Sequence, residues 1–241
     1  MRLLAIETSG SRGGIALADG GHVIDEVLLT DGLRHARDLL PAIRAACERA
    51  GWPPRGIECL AISIGPGSFT GVRIAVTFAK FMAWDAGTRV VTVPSLRALA
   101  ENAPPDRPRV VPVLDAKRGG LFASIFERRT GADAPLLARF NEPFGPALIE
   151  PADLAGRLQP PAYVLGHGIT KAREALGGFE LAPPKLWDIQ PSVVAHLGCE
   201  RAARGEWADP LRLEPVYLRP PDAEEIWQRR QRLGQATGSH P

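Results

Sequence analysis

The 241-residue sequence predicts an α/β protein built from two similar mixed-sheet lobes, the second abbreviated. Three observations carry this expectation. Strand-like apolar runs and helical periodicities follow one another as three strands, helix, strand, helix, strand, helix. Tight turns separate the first three strands, which makes them antiparallel, whereas the later helices supply right-handed crossovers to parallel neighbours. After a proline-rich break, Pro104-Pro105 to Pro108, part of the same order begins again.

Residues 2–7, 13–18 and 22–29 read as short strands, punctuated by Ser9-Gly10-Ser11 and Asp19-Gly20-Gly21. A helix is predicted over 34–50, where Ala36, Leu39, Leu40, Ile43, Ala46, Cys47 and Ala50 recur at helical spacing and Gly51 stops it. Pro41 lies inside this run, so the helix is expected to begin near Asp38 or to bend. A strand over 59–64, a glycine-rich turn, a helix over 72–86, a strand over 90–93 and a short helix over 95–101 complete a first lobe, 1–103. A second lobe, 109–219, holds strands over 110–114, 121–127, 136–140 and 163–166, with a helix over 153–158. A last helix, 192–204 with Ser192 as N-cap, is read as crossing back to the first lobe. The polar, Arg/Gln-rich segment 220–241 reads as frayed or flexible.

Hydrophobic content of 45% and charged content of 23% are those of a soluble globular protein, and a net charge of +2 is too small to imply a nucleic-acid surface. Arg128-Arg129 and Arg229-Arg230 are too brief to track a phosphate backbone. Cys47, Cys59 and Cys199 are odd in number and form no Cys-x-x-Cys pair, which argues against a disulfide scaffold and a zinc ribbon. A strand-like run starting at Leu3 leaves no room for a signal peptide, and no apolar stretch is long enough to span a bilayer. The expectation is a reduced, cytoplasmic protein.

The turn Gly65-Pro66-Gly67-Ser68-Phe69-Thr70-Gly71 joins a strand to a helix, the usual setting for phosphate at a helix N-terminus. Its glycines miss the dinucleotide fingerprint by one residue, and no Gly-Lys-Ser/Thr follows. Two readings stay open: the turn shapes the start of the helix, or it contacts a ligand. Glu7-Thr8-Ser9-Gly10 and Asp115-Ala116-Lys117 are acid-headed turns after the first strand of each lobe, and Gly166-His167-Gly168 follows a later strand. Actin-like and sugar-kinase phosphotransferases place such turns across a nucleotide cleft, so an autonomous ATP-dependent phosphotransferase is the alternative function by analogy of fold. Against it, Glu7 serves equally well as a turn cap, and Lys117-Arg118 puts bulk where a close-approach glycine is expected. No His-Glu-x-x-His occurs, His35 has no second histidine four residues away, and no Gly-x-Ser-x-Gly elbow exists. Neither a metal ligand set nor a catalytic residue is assigned.

The helix over 72–86 is apolar over too wide a sector for an ordinary surface helix. Ile74, Phe78, Phe81 and Met82 form a bulky arc, Val72, Val76, Ala79 and Ala83 a small one, and Arg73, Thr77, Lys80 and Trp84 a polar-edged stripe. One arc packs on the sheet; the other needs a cover, from the rest of this chain or from another subunit.

Taken together, Leu4-Ala5-Ile6-Glu7-Thr8-Ser9, His35 with Leu39-Leu40-Pro41, the string from Gly65 to Arg73, Ala79-Lys80, Pro94-Ser95-Leu96, Asp115-Ala116-Lys117 and Pro215-Val216-Tyr217-Leu218-Arg219 resemble the TsaB (formerly YeaZ) family of the glycoprotease-like group. The resemblance implies an actin-like (ASKHA, ribonuclease H-like) fold and a supporting role in making N6-threonylcarbamoyladenosine in tRNA. It implies a non-catalytic scaffold subunit that pairs with the catalytic, metal-binding TsaD and helps recruit the ATPase TsaE, meeting tRNA only through the complex. ATP and Mg are then used by the complex, with none bound tightly here, and the chain alone is expected to form a homodimer. The family usually carries Asp where Glu7 stands and often Arg where Lys117 stands, which weakens nucleotide binding in the cleft and leaves the partner role. The implied partner-binding set is Leu39, Ile43, Arg73, Ile74, Phe78, Lys80, Phe81 and Trp84. Glu7, Thr8, Ser9, Asp115, Lys117, Gly166 and Gly168 are read as a vestigial nucleotide cleft.

Overall fold

A computed structural model describes residues 1–29, 35–129 and 134–219. Its first sheet contains β1 (Arg2–Glu7), β2 (Gly14–Asp19), β3 (His22–Leu28), β4 (Cys59–Ser63) and β5 (Arg89–Val93) in the order β3-β2-β1-β4-β5. The hairpin strands β1, β2 and β3 pair antiparallel, while β4 and β5 join parallel to β1. The second sheet contains β6 (Arg109–Asp115), β7 (Leu121–Arg128), β8 (Phe140–Ile149), β9 (Tyr163–Leu165) and β10 (Glu180–Leu181). Its order, β8-β7-β6-β9-β10, repeats the first, with the same antiparallel and parallel halves. All five strands are present, but β9 and β10 are cut to 3 and 2 residues.

The helices are α1 (His35–Ala50), α2 (Phe69–Ala86), α3 (Ser95–Ala100), α4 (Pro151–Arg157), α5 (Ile169–Leu176) and α6 (Pro191–Ala203). Strand alternation sorts the first sheet into two faces. Leu4, Ile6, Ile15, Leu17, Leu60 and Ile62 share a cluster with residues of α1 and α2. Leu4 and Ile6 are fully buried, contributing about 1.5–3 kcal/mol each relative to exposure. The opposite face carries Ala5, Ala16, Ala18 and Ala61 and receives α6, which contacts every strand of this sheet. The small side chains admit the helix closely: a Cβ on Gly198 would lie 2.3 Å from that of Ala61. The same cluster continues through α3 into β6, β7 and β9, so both lobes share one core.

A buried ionic seam reinforces it. Arg97 of α3 pairs with Glu101 at 2.7 Å, donates to the Leu136 carbonyl, and lies 4.8 Å from the Phe140 ring centre. Arg139 approaches the same Glu101 at 3.4 Å. The Glu200 carboxylate of α6 accepts the amides of Leu136 and Leu137 at 2.7 and 2.9 Å.

Several sequence expectations are corrected here. Segment 136–140 is not a strand: Leu136–Ala138 is a 3-10 turn held by Glu200 and Arg97. The strand begins at Phe140 and was invisible because β8 is an edge strand, mostly exposed and interrupted by Pro143, Gly145 and Pro146. Helix α5 and strand β10 have no counterpart among the elements the sequence predicts. Helix α2 starts at Phe69, not Val72, because the Ser68 side chain caps it by accepting the Gly71 N–H. Ser192 is not a cap, since α6 begins at Pro191 after Gln190. Helix α1 runs through Pro41 from His35. The proline sits exposed in its second turn, where the bond forgone is one to Arg37. Arg34 and the tail 220–241 lie outside the described residues.

Candidate functional site

The glycine motif meets its own chain. A Cβ on Gly67 would stand 2.3 Å from the Ser9 carbonyl oxygen, and one on Gly71 would stand 1.7 Å from that of Thr8. Only glycine permits this approach. The Ser68 N–H donates to the Ser9 carbonyl at 2.8 Å, and the Thr8 hydroxyl donates to the Gly71 carbonyl at 2.7 Å. The α2 N-terminus is therefore locked onto the turn after β1.

Glu7 completes the closure. One carboxyl oxygen accepts the Ser9 N–H at 2.7 Å, the Ser9 hydroxyl at 2.8 Å and the Gly10 N–H at 2.8 Å, and the other meets the Ser63 hydroxyl of β4. The side chain is fully buried. Burial pushes the Glu7 pKa above the ordinary carboxylate value, outweighing the donors from Ser63, Ser9 and Gly10, which lower it. Because the folded value exceeds the unfolded one (about 4.3), this group's stabilisation is complete below the unfolded pKa and is lost as pH rises through the folded pKa. Gln at this position keeps an accepting oxygen toward Ser9 and Gly10 and an N–H toward Ser63, without the titration. Urea unfolding of Glu7→Gln across a pH series is expected to show its stability rising relative to the natural protein as pH increases from the ordinary carboxylate range. A pH-independent difference would contradict this assignment.

The second-lobe turn is folded on itself. Asp115 accepts the Lys117 N–H at 2.7 Å, and its other oxygen lies 3.3 Å from the Lys117 ammonium. Lys117 and Arg118 have φ of 64° and 50°, left-handed geometry that costs non-glycine residues about 1–2 kcal/mol each. Gly166 and Gly168 pack against the backbone of Val113 on β6. His167, between them, holds Asp188 at 2.8 Å. Glu7 and Asp115 are thus engaged separately, each within its own lobe. Among the described residues, no group of three or more His, Cys, Asp or Glu could hold a metal ion, and no helix is long and apolar enough to cross a membrane. The side chain of His35 lies outside the described residues.

The surface left open lies between α1 and α2. Val72, Ala75, Val76, Ala79 and Met82 are buried beneath α2. The bulky arc is therefore split, with Met82 inward and Phe81 outward. Outward, Phe81 is 53% and Trp84 is 83% exposed, with ring centres 6.4 Å apart. Ile74 and Phe78 are half-buried, Lys80 is half-buried, and Arg73 is exposed. Two members of the predicted set belong elsewhere: Ile43 is 8% exposed, within the core under α1, and Leu39, at 2%, forms only the groove floor. Their helical neighbour Leu40, 58% exposed, takes their place. Leu40, Phe69, Arg73, Ile74, Phe78 and Phe81 line an open groove of ≈ 600 Å³ together with Leu39, Thr70 and Thr77. The helical spacing that marked Leu39 also marked Leu40, but only the orientation of α1 on the sheet tells them apart. The Arg73 guanidinium lies 5.1 Å from the Phe69 ring centre, and Tyr217 stacks on that ring at 4.9 Å. No local signal in the sequence ties Tyr217 to this site.

Two sheets of one repeated order, joined through a common core, define a two-lobed mixed-sheet α/β protein whose turn after β1 is filled by its own chain. Residues 31–170 match the family model of TsaD, tRNA N6-adenosine threonylcarbamoyltransferase. The tRNA threonylcarbamoyladenosine biosynthesis protein TsaB of Bacillus subtilis is 31% identical over 233 residues, which cover 94% of this chain and 98% of that protein. Its Escherichia coli counterpart is 32% identical, covering 91% and 95% of the two chains. The solved structure of YeaZ from Pseudomonas aeruginosa shares the fold, with a TM-score of 0.74 at 24% identity over 90% of this chain and 99% of its own. The chain belongs to the TsaB family.

Proposed function

We propose that this protein is a non-catalytic subunit in tRNA threonylcarbamoyladenosine biosynthesis, docking the catalytic subunit TsaD through the groove between α1 and α2. The observation that carries this reading is the pairing of a closed first-lobe turn with an open apolar face. The donors around Glu7 are engaged, Gly67 and Gly71 are in contact with Ser9 and Thr8, and the residues present do not fit a nucleotide phosphate there. In contrast, Leu40, Phe81 and Trp84 stand exposed beside Arg73 and Lys80, the composition of an interface centre with a polar edge. The family's name supports the pathway, and the match of residues 31–170 to the TsaD model supports a partner built on the same fold, which can present matching helices. In this reading the pair recruits the ATPase TsaE, tRNA is met only through the complex, and the isolated chain covers the same face by self-association. ATP and Mg serve the complex without tight binding to this chain.

Phe78→Asp and Phe81→Asp, made singly, test the assignment. Each is expected to weaken TsaD binding by about 2 kcal/mol or more, roughly thirtyfold in Kd, while the far-UV circular dichroism stays unchanged. Unaltered co-purification of both variants with TsaD would remove the groove from consideration. Calorimetric titration of the isolated chain with Mg-ATP separates this reading from an autonomous phosphotransferase, which requires tight binding; none is expected.

A further inference from the structure

The last described residues connect the groove to the opposite lobe. After α6 the chain returns along lobe one, where Ala208 bridges Val90 of β5 and Leu213 is buried in the cluster under α1 and α2. The Val216 N–H then donates to the Ile64 carbonyl at 2.9 Å, and the Val216 carbonyl oxygen lies 2.9 Å from where a Cβ on Gly65 would be. Tyr217 stacks on Phe69 with rings 29° apart, and Arg73 sits over the same Phe69. Arg219 reaches lobe two, where its guanidinium donates to the carbonyls of Ala116 and Lys117, the latter at 3.0 Å.

Residues 214–217 belong to no helix or strand, and Pro215 has no N–H to offer. The segment is held by the buried Leu213 at one end, by the Val216 bond, the Tyr217 stack and the packing of Leu218 on the shared core, and by the Arg219 guanidinium at the other end. The segment touches Phe69, a groove residue on the first turn of α2, and Arg73, one turn further on, lies over the same ring.

We propose that residues 213–219 form a clasp that positions the docking groove from the second lobe. Arg219 anchors the clasp on the Ala116–Lys117 turn, Tyr217 holds the Phe69 ring, and Phe69 sets Arg73 at the groove's edge. Arg219 is then a positioning residue for docking although it lies outside the groove, and partner binding on lobe one responds to the relation between the lobes. This inference rests on the groove being the TsaD surface.

The test compares full-length Tyr217→Ala, Arg219→Ala and Phe78→Asp by titration against TsaD, with amide hydrogen exchange followed on each isolated variant. Tyr217→Ala and Arg219→Ala are each expected to raise Kd about three- to tenfold, the range attributable to one aromatic pair. Combined, they are expected to do little more than either alone, because both act through one element. Arg219→Ala is also expected to speed exchange at the Val216 amide in the isolated protein. If Phe78→Asp abolishes binding while both clasp variants bind normally, the clasp is overturned and the docking surface stands. If Phe78→Asp is silent as well, the docking surface falls and takes the clasp's role with it. Additive losses, or unchanged Val216 exchange, would also refute a shared clasp.

Discussion

Gly71→Ala is expected to destabilise the protein by more than about 4 kcal/mol, beyond the roughly 1–3 kcal/mol usual for an overpacked core. The added methyl would stand 1.7 Å from the Thr8 backbone carbonyl oxygen, and neither group has a rotamer to change, so nothing short of backbone movement relieves the clash. Relief requires lifting α2 from the turn after β1. That movement breaks the Thr8 hydroxyl bond to Gly71 and the Ser68 bond to Ser9, and it disturbs the buried bonds of Glu7. Urea midpoints measure the loss, with Gly156→Ala as the contrast. Gly156 lies within α4 with nothing near its missing side chain, so alanine there is expected to be neutral or to stabilise by about 0.5–1 kcal/mol. A soluble Gly71→Ala protein with an unchanged midpoint would show that α2 is not locked onto the turn as described.

Glu101→Ala is expected to cost about 3–5 kcal/mol, the usual consequence of removing one partner from a buried ion pair. Arg97 would lose its 2.7 Å partner inside the seam, and Arg139 would lose the same carboxylate. Burial already depresses the Arg97 pKa, with Glu101 acting to restore it. The loss should therefore fall on the contact between α3 and the Leu136–Phe140 segment, and so on the union of the lobes. The double variant Arg97→Met/Glu101→Leu is expected to recover most of the stability, because the charge then left without Glu101 is that of Arg139, which is partly exposed and donates to the Ala134 carbonyl. Equilibrium unfolding of the three proteins provides the check. A double variant as unstable as Glu101→Ala would mean that the seam acts through packing alone.

Legibility from the sequence followed the range of the interactions. Strands β1, β4, β6 and β7 are readable because their residues are largely apolar, interrupted only by Pro112 in β6 and Ser124 in β7, and are buried in the middle of sheets. Edge strand β8 is not, since only its ends are buried and its partner is a single neighbouring strand. For the candidate site, the wide apolar sector of α2 left open which residues face outward; the structure exposes Phe81 and Trp84, whereas Met82, one residue from Phe81, turns inward. Ile43 and Leu40 share α1 and share apolar character, yet one faces the sheet and the other the groove. Periodicity gives a helix its apolar face; it does not say where the cover on that face ends.

From the sequence alone came the alternation of strands and helices, the glycine string of the α2 entry and the family resemblance. These are properties of neighbouring residues, expressed through dihedral preference and side-chain spacing. Tertiary structure alone decided that Gly67 and Gly71 receive the chain's own Ser9 and Thr8, that Glu7 binds Ser63, and that Arg219 reaches Ala116 and Lys117. Each of those contacts joins segments far apart along the chain. Their distances are set by how the sheets, helices and lobes pack, which no local pattern encodes.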